Sequence, residues 1–160
     1  MFRASAVGGL FCCFWKSVVQ CTIMIEINNL THFAVDKAFF LGVAKKVLKG
    51  ENKGTENVSI AFVVPEEIRR LNKKYRHKDK PTDVLSFGKV SDFKDEHSEV
   101  VVCPYVVRQM AADSKLSLKK ELAKAVIHGM LHNLGYDHEA SPAQEEKMFS
   151  KQAFYFSKVK

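Results

Sequence analysis

Hydrophobic positions in this chain follow two spacings, and the spacing changes several times along the sequence. Apolar residues recur every three or four positions at Val35, Phe39, Val43 and Val47, which predicts an amphipathic helix. An uninterrupted β-rich run, residues 58–64, predicts a buried strand. The predicted strands are residues 25–28, 58–64, 83–87 and 99–103. The predicted helices are residues 35–48, 65–75, 104–114, 118–134 and 141–156.

The ends of the predicted helices carry residues that favour helix termini. Pro65 is followed by two glutamates, and this suits a first helical turn, where proline needs no amide partner and carboxylates face the positive end of the dipole. Ser141 and Gln144 have the spacing of a capping box, and Gly50 stands where the first helix is expected to stop. The whole pattern predicts one α+β domain, with a mixed four-stranded sheet and about five helices.

Length and composition are consistent with one globular domain. The chain has 160 residues, of which 46% are hydrophobic and 27% are charged. This length fits a single domain with a sizeable core. The balance excludes a disordered polymer, a fibrous repeat and a protein with several membrane spans.

Residues 1–23 do not continue the pattern of the rest of the chain. Their apolar run, residues 6–15, is ten residues long, whereas a membrane-spanning helix needs about 18–20. A signal peptide, a transit peptide and a translation start at Met24 are alternative interpretations of this stretch. We expect it to be an extension outside the fold, and we expect residues 24–160 to form the domain.

The positive charge is concentrated in one segment. The chain carries a formal charge of +7, and the segment RRLNKKYRHKDK, residues 69–80, holds seven basic residues and one acid. A concentrated positive stripe is typical of a surface that binds a polyanion such as nucleic acid, although charge runs are also common on solvated helix faces. The candidate RNA-binding residues are Arg69, Arg70, Lys73, Lys74 and Lys78.

The four cysteines do not form a recognisable framework. Three lie in residues 1–23, and Cys103 stands alone in an apolar run without a CxxC companion. Neither a disulfide scaffold nor a cysteine-based zinc site is predicted. A reducing compartment, the cytoplasm, is the expected location, and no membrane partner is predicted.

Three of the six histidines fall in one short motif, HGMLHNLGYDH, at the end of the longest predicted helix. His128 and His132 are four residues apart, so both project from one helix face and can reach one ion. Gly135 can adopt the left-handed conformation that ends a helix, which allows His138 to approach the same ion. Three imidazoles with a free fourth position are typical of a catalytic zinc site.

The spacing of these histidines also matches the metzincin protease pattern HExxHxxGxxH. The decisive difference is Gly129, which stands where a zinc protease has the glutamate that activates water. A peptidase built on this motif would lack its general base. A protease function is therefore disfavoured.

Two motifs together resemble the YbeY family of ribosomal RNA maturation factors: HGMLHNLGYDH and, at residues 76–87, RHKDKPTDVLSF. The resemblance implies a single-strand-specific endoribonuclease that uses zinc-bound water as its nucleophile. It implies one zinc ion per chain held by His128, His132 and His138, and a functional arginine at Arg76. It also implies action on the 3′ end of small-subunit ribosomal RNA and in ribosome quality control. The implied partners are single-stranded RNA, ribosomal RNA, the small ribosomal subunit and, as further candidates, ribosomal proteins.

The sequence departs from the family pattern at three places. Gly88 stands where proline usually follows LSF, Ser98 and Glu99 stand where Gly-Asp usually opens the next strand, and Asn133 stands where leucine usually follows the second histidine. None of these removes a predicted ligand. They leave the local loop geometry to be determined by the structure.

Two functions remain compatible with the sequence. In the first, the protein is a hydrolase in which Arg76 stabilises charge on an RNA phosphodiester. In the second, it is a non-catalytic, zinc-containing assembly factor that binds ribosomal RNA or a ribosomal protein. No general base is evident beside the motif, because Asp137 is better suited to orient a ligand or to cap a turn.

Overall fold

The computed structural model describes residues 24–54, 57–88 and 98–159, which form four strands and five helices. The predicted extension, residues 1–23, lies outside these ranges. The strands are β1 (Ile25–Asn29), β2 (Val58–Phe62), β3 (Val84–Phe87) and β4 (Ser98–Val102). The helices are α1 (Lys37–Gly50), α2 (Pro65–Arg76), α3 (Pro104–Met110), α4 (Leu118–Asn133) and α5 (Pro142–Ser157).

The strands form one mixed sheet, as the sequence predicts, and the structure gives their order as β1-β2-β4-β3. β1 and β2 are parallel, β2 and β4 are parallel, and β3 is antiparallel to β4. The central strands β2 and β4 are the most buried, because helices cover both of their faces. The α+β prediction with a mixed four-stranded sheet and five helices is confirmed.

Alternate residues of the central strands point to two separate cores. Ile60 and Val100 belong to the larger core, which also contains buried residues of α1, α4 and α5. Ala61 and Val101 belong to the smaller core on the opposite face, where Ile68 of α2 packs. This alternation follows from the two-residue period of a strand. The sheet therefore separates α2, with its basic residues, from α4 across the two faces.

Several predicted boundaries move by a few residues. The second strand ends at Phe62 instead of residue 64, because Val64 becomes the N-cap of α2. The third helix ends at Met110 instead of residue 114, and Ser114 instead hydrogen-bonds to Glu121 of α4. The helix that carries the histidines, α4, is predicted to be the longest; among the described helices α5 equals it, since both have 16 residues. Within the described ranges, no helix is long and apolar enough to span a membrane.

Helix α4 lies unusually close to the sheet at Gly129. A Cβ atom at this position would lie 2.6 Å from Val100 Cγ1 and 3.0 Å from Val84 Cγ2. The Ser86 hydroxyl donates a 2.9 Å hydrogen bond to the carbonyl of Gly129. Because the obstructing atoms belong to short β-branched side chains on paired strands, they have little room to move. Glycine at this helix position is therefore required by the packing of α4 on the sheet.

The carboxylate of Glu51 joins three parts of the chain. It accepts a 2.7 Å hydrogen bond from the hydroxyl of Tyr136, just after α4, and a hydrogen bond from Tyr155 of α5. Lys151 of α5 lies 2.8 Å away as its ion-pair partner. Burial by itself raises the pKa of Glu51, but the hydrogen bonds from Lys151, Tyr155 and Tyr136 outweigh burial and lower it. Glu51 thus fixes α5 and the turn after α4 against the end of α1.

We expect Gly129→Ala to destabilise the fold by about 1–3 kcal/mol, because the added methyl group overpacks the contact between α4 and the sheet. Gly42 in α1 is the matched control, since a Cβ there would meet no atom within 4 Å. Gly42→Ala should stabilise by about 0.5–1 kcal/mol through helix propensity. Urea denaturation measures both changes. A Gly129→Ala variant at least as stable as the wild type would contradict the close packing.

We expect Glu51→Gln to destabilise the fold by about 1–3 kcal/mol at pH 7, because the amide weakens the hydrogen bonds and loses the ion pair with Lys151. The folded-state pKa of Glu51 is lower than its usual value of 4.5. The stabilisation is therefore present above pH 4.5 and is lost as the pH falls through the lower folded-state pKa. Urea denaturation across this pH range measures the difference from the wild type, which should shrink on acidification.

Glu26, exposed on β1, provides the control for that experiment. Glu26→Gln should change the stability little at any pH. A Glu51→Gln deficit that persists unchanged in acid would show that the charge of Glu51 is not its source.

Candidate metal centre

After α4, the chain turns back toward the last turns of this helix. The backbone N–H of Gly135 donates to the carbonyl of His132 over 2.9 Å, and that of Tyr136 donates to Leu131 over 3.0 Å. Gly135 has a φ of +90°, in the left-handed region that glycine adopts without steric cost. A Cβ there would meet no atom within 4 Å, so backbone conformation is what favours glycine. This turn brings the following segment beside α4.

The structure brings His128, His132 and His138 together. One ring nitrogen from each lies within 4.8 Å of the others. The ring centroids are 4.8 to 5.2 Å apart. All three side chains are half-buried. Three imidazoles converging in this way fit a metal ion that prefers nitrogen ligands and leave room for further ligands.

The environment of His128 and His132 favours the neutral, metal-binding form of these two rings. Burial is the largest cause that lowers the pKa of His128, and the neighbouring His138 lowers it further. Burial also lowers the pKa of His132, with contributions from His128 and His138. A neutral imidazole keeps a lone pair for a metal. The Nδ1 atom of His128 lies 2.9 Å from Oε1 of Gln152 on α5.

Two local contacts hold the segment that carries His138. The carboxylate of Asp137 accepts a 2.8 Å hydrogen bond from the backbone N–H of Glu139, which closes a tight turn around His138. The ring of Phe149 on α5 stacks on His138 with a centroid distance of 5.8 Å. The turn and the stacked ring restrict the position of the third imidazole.

The position of Gly129 explains why the protease pattern fails here. The Cβ direction at this residue points toward Val100 and Ser86 of the sheet. A glutamate at Gly129 would therefore have to enter the packed contact between α4 and the sheet, away from the face that carries His128 and His132. The glutamate of a zinc protease has no place in this arrangement.

Arg76 lies near the histidine cluster. It is the last residue of α2, and its Nη2 atom lies 3.8 Å from Oε1 of Glu139, the residue after His138. The following residue, His77, has a left-handed φ of 58° and ends the helix. The end of α2 is thus joined to the loop that carries His138.

The other basic residues of α2 differ in their pairing. Arg69 and Lys73 both contact Asp79, at 2.7 and 2.8 Å. The hydrogen bonds from these two side chains lower the pKa of Asp79 to about 2. Arg70 pairs with Glu67 of the same helix at 2.6 Å. Three of the five candidate RNA-binding residues are therefore already paired with carboxylates.

Lys74 and Lys78 are the two remaining candidates. The Nζ atom of Lys74 lies 4.9 Å from the centroid of the Tyr75 ring. In the described part of the chain, no carboxylate forms an ion pair with Lys74 or Lys78. Both side chains are exposed. They are available to an incoming anion without breaking an existing pair.

A cavity of about 380 Å³ opens beside His128. Its polar wall includes Asp83, Lys124 and Gln152, and its apolar wall includes Val107 of α3. Lys124 and Gln152 are not among the site residues predicted from the sequence. Lys124 could have been found from its spacing, because it precedes His128 by four residues on α4. Gln152 lies 24 residues after His128 on another helix, so no local spacing identifies it.

Of the four residues at which the chain departs from the family pattern, Gly88, Ser98 and Asn133 have structural explanations. Gly88 has a φ of +74°, which proline cannot adopt. The buried amide of Asn133 donates a 3.2 Å hydrogen bond to the backbone carbonyl of Glu99. Ser98 is buried, and its hydroxyl donates to the carbonyl of Asn57. The Asn133 amide thus joins the end of α4 to the backbone of β4, in a contact that does not involve the side chain of Glu99.

Comparison with known proteins gives a consistent result. The chain is 40% identical over 106 residues to the endoribonuclease YbeY of Thermotoga maritima, a match that covers 66% of this chain and 69% of that protein. It is 34% identical over 128 residues to the endoribonuclease YbeY of a Sulfurihydrogenibium species, with coverage of 78% and 84%. With the endoribonuclease YbeY of Acholeplasma laidlawii the identity is 31% over 135 residues, with coverage of 84% and 97%.

Structure and family comparisons agree with these relatives. The solution structure of a protein from Thermotoga maritima matches with a TM-score of 0.61 and 33% identity, covering 85% of this chain and 89% of the other. The family model described as endoribonuclease YbeY matches residues 26–160. The resemblance expected from the two sequence motifs is confirmed, and this chain belongs to the endoribonuclease YbeY family.

Proposed function

We propose that this protein is a zinc-dependent endoribonuclease that cleaves single-stranded RNA in the cytoplasm and acts in ribosomal RNA processing. The proposed substrate is the 3′ end of small-subunit ribosomal RNA, with a further role in ribosome quality control. The relatives' shared description, endoribonuclease, supports the reaction class. Residues 24–160 would form the catalytic domain.

The observation that carries this proposal is the convergence of three imidazoles within 4.8 Å beside an open cavity. A structural zinc site is usually closed by a fourth protein ligand. No fourth histidine, cysteine or carboxylate joins the cluster among the described residues. The open side is what a hydrolase needs for water and substrate, so this arrangement favours a catalytic site over an assembly factor.

In this proposal, the histidine cluster and the basic residues near it have different roles in RNA cleavage. Lys74 and Lys78 attract the phosphate backbone, and their unpaired charges make this attraction strong at low salt. Arg76 offers a forked, permanently charged donor to the scissile phosphate, where it would stabilise charge that develops during cleavage. Its 3.8 Å pair with Glu139 is exposed and weak enough to be exchanged for a phosphate. His128, His132 and His138 would hold zinc, which supplies Lewis acidity and lowers the pKa of water that it binds.

We expect purified wild-type protein to carry about one zinc ion per chain, and His128→Ala and His138→Ala to lose most of it, because two imidazoles rarely retain zinc alone. Elemental analysis measures the metal content, and circular dichroism measures the folding of each variant. His32→Ala is the control, since His32 is exposed and lies outside the cluster.

Normal zinc content in both variants would reject the ligand assignment. Loss of folding together with loss of zinc would instead indicate a metal that holds the structure together.

We expect Lys74→Ala and Lys78→Ala to weaken RNA binding at every sequence and to reduce its salt dependence, by about 0.7 in the log–log slope for each lost phosphate contact. Arg70→Ala is the matched control, because Glu67 already pairs with Arg70.

Arg76→Ala should lower cleavage at saturating RNA by about 10²–10³ while binding changes much less, because Arg76 acts on developing charge. Fluorescence anisotropy and cleavage of a labelled oligonucleotide measure the two effects.

Equal losses of binding and cleavage in Arg76→Ala would place this arginine with the binding lysines. A zinc-loaded wild type that binds RNA and cleaves no single-stranded RNA would favour the assembly-factor function.

A further inference from the structure

Helix α5 places a buried amide against the histidine cluster. Gln152 is only 8% exposed, and its Oε1 atom lies 2.9 Å from Nδ1 of His128. The two residues lie on different helices, 24 positions apart in the chain. A buried polar group at this distance is a hydrogen-bond partner of the ring.

The position of Gln152 is fixed by its neighbours on α5. Met148, one turn earlier, is fully buried in the larger core. Lys151 and Tyr155 both bind the carboxylate of Glu51. The helix can therefore neither rotate nor slide without breaking these contacts. The packing of α5 therefore holds the amide of Gln152 against His128.

The direction of this hydrogen bond decides which nitrogen of His128 can bind a metal. A neutral imidazole carries one N–H and one lone pair. If Nδ1–H donates to Oε1 of Gln152, the lone pair lies on Nε2. If the amide were turned so that its NH₂ donated to Nδ1, the proton would lie on Nε2 and that atom could not bind a metal.

We propose that Gln152 is a positioning residue that accepts a hydrogen bond from Nδ1–H of His128 and so reserves Nε2 of His128 for the metal ion. The proposal rests on the metal site of the proposed function and extends it to α5. Metal-binding histidines commonly donate their second ring N–H to such an acceptor, which fixes the tautomer and the ring orientation.

This role makes a specific demand on the side chain at position 152. Any acceptor in the same place should serve, so Gln152→Glu should preserve the tautomer. An apolar chain of similar length, Gln152→Met, fills the space and offers no comparable acceptor. The two variants therefore separate the hydrogen bond from simple packing.

The test uses the full chain, first without metal and then with zinc alone. In the metal-free protein, ¹⁵N–¹H correlation spectra of the histidine side chains report the tautomer of His128. We expect the Nδ1–H form in the wild type and in Gln152→Glu, and a mixture in Gln152→Met. Zinc affinity, measured by competition with a chelator, should fall by about 10–100-fold in Gln152→Met and should be restored in Gln152→Glu.

Gln144→Met is the matched control, because Gln144 is an exposed glutamine on the same helix. It should leave both the tautomer and the zinc affinity unchanged. Wild-type zinc affinity in Gln152→Met would overturn the proposal, and so would equal losses in Gln152→Met and Gln152→Glu, which would indicate packing alone.

These outcomes are distinguishable from failure of the proposed function, because neither measurement uses RNA. A wild type that shows the expected tautomer and zinc affinity but cleaves no RNA would reject the nuclease and retain the role of Gln152. A wild type that does not show the Nδ1–H tautomer would overturn the role of Gln152 whatever its activity.

Discussion

The close contact of α4 with the sheet at Gly129 is the constraint on which the candidate site depends. The backbone of α4 can approach β3 and β4 only because position 129 has no side chain. The hydrogen bond from Ser86 to the carbonyl of Gly129 fixes this approach. With one face of α4 packed on the sheet, the face that carries His128 and His132 is directed away from the sheet, and His128 lines the cavity. The same contact removes the position that a protease uses for its glutamate.

A second constraint fixes the third histidine and the outer wall of the site. α5 contacts the cluster through Phe149, which stacks on His138, and through Gln152, which contacts His128. Glu51 fixes the position of α5 through its contacts with Lys151 and Tyr155 of that helix. It also accepts a hydrogen bond from Tyr136 in the loop after α4. The imidazole geometry is therefore supported by residues that no metal-binding pattern contains. Partly buried carboxylates of this kind are stabilising only when several donors satisfy them, as at Glu51.

The number of basic residues in α2 and the loop after it overstates how many of these charges are unpaired. The helix and the loop after it hold a dense run of basic residues, yet Arg69, Arg70 and Lys73 are already paired with carboxylates. These pairs join α2 to its own first turn and to the loop after it, while Lys74 and Lys78 form no ion pair with a carboxylate of the described residues. Arg76, at the helix end, is near the histidine cluster through Glu139. The set of unpaired charges on the proposed RNA-binding surface is thus smaller than the run of basic residues suggests.

The sequence by itself determined the elements, the mixed fold class and the grouping of three histidines, because these depend on short-range periodicity. The four-residue spacing of His128 and His132 and the glycine at 135 act within one helix and its end, so local geometry sufficed. Only the tertiary structure decided which residues meet from distant parts of the chain. The contact of Gln152 with His128 depends on how two helices pack, and the fit of Gly129 depends on the distance between α4 and the sheet. Neither is encoded in local spacing, because each is set by the packing of the whole core.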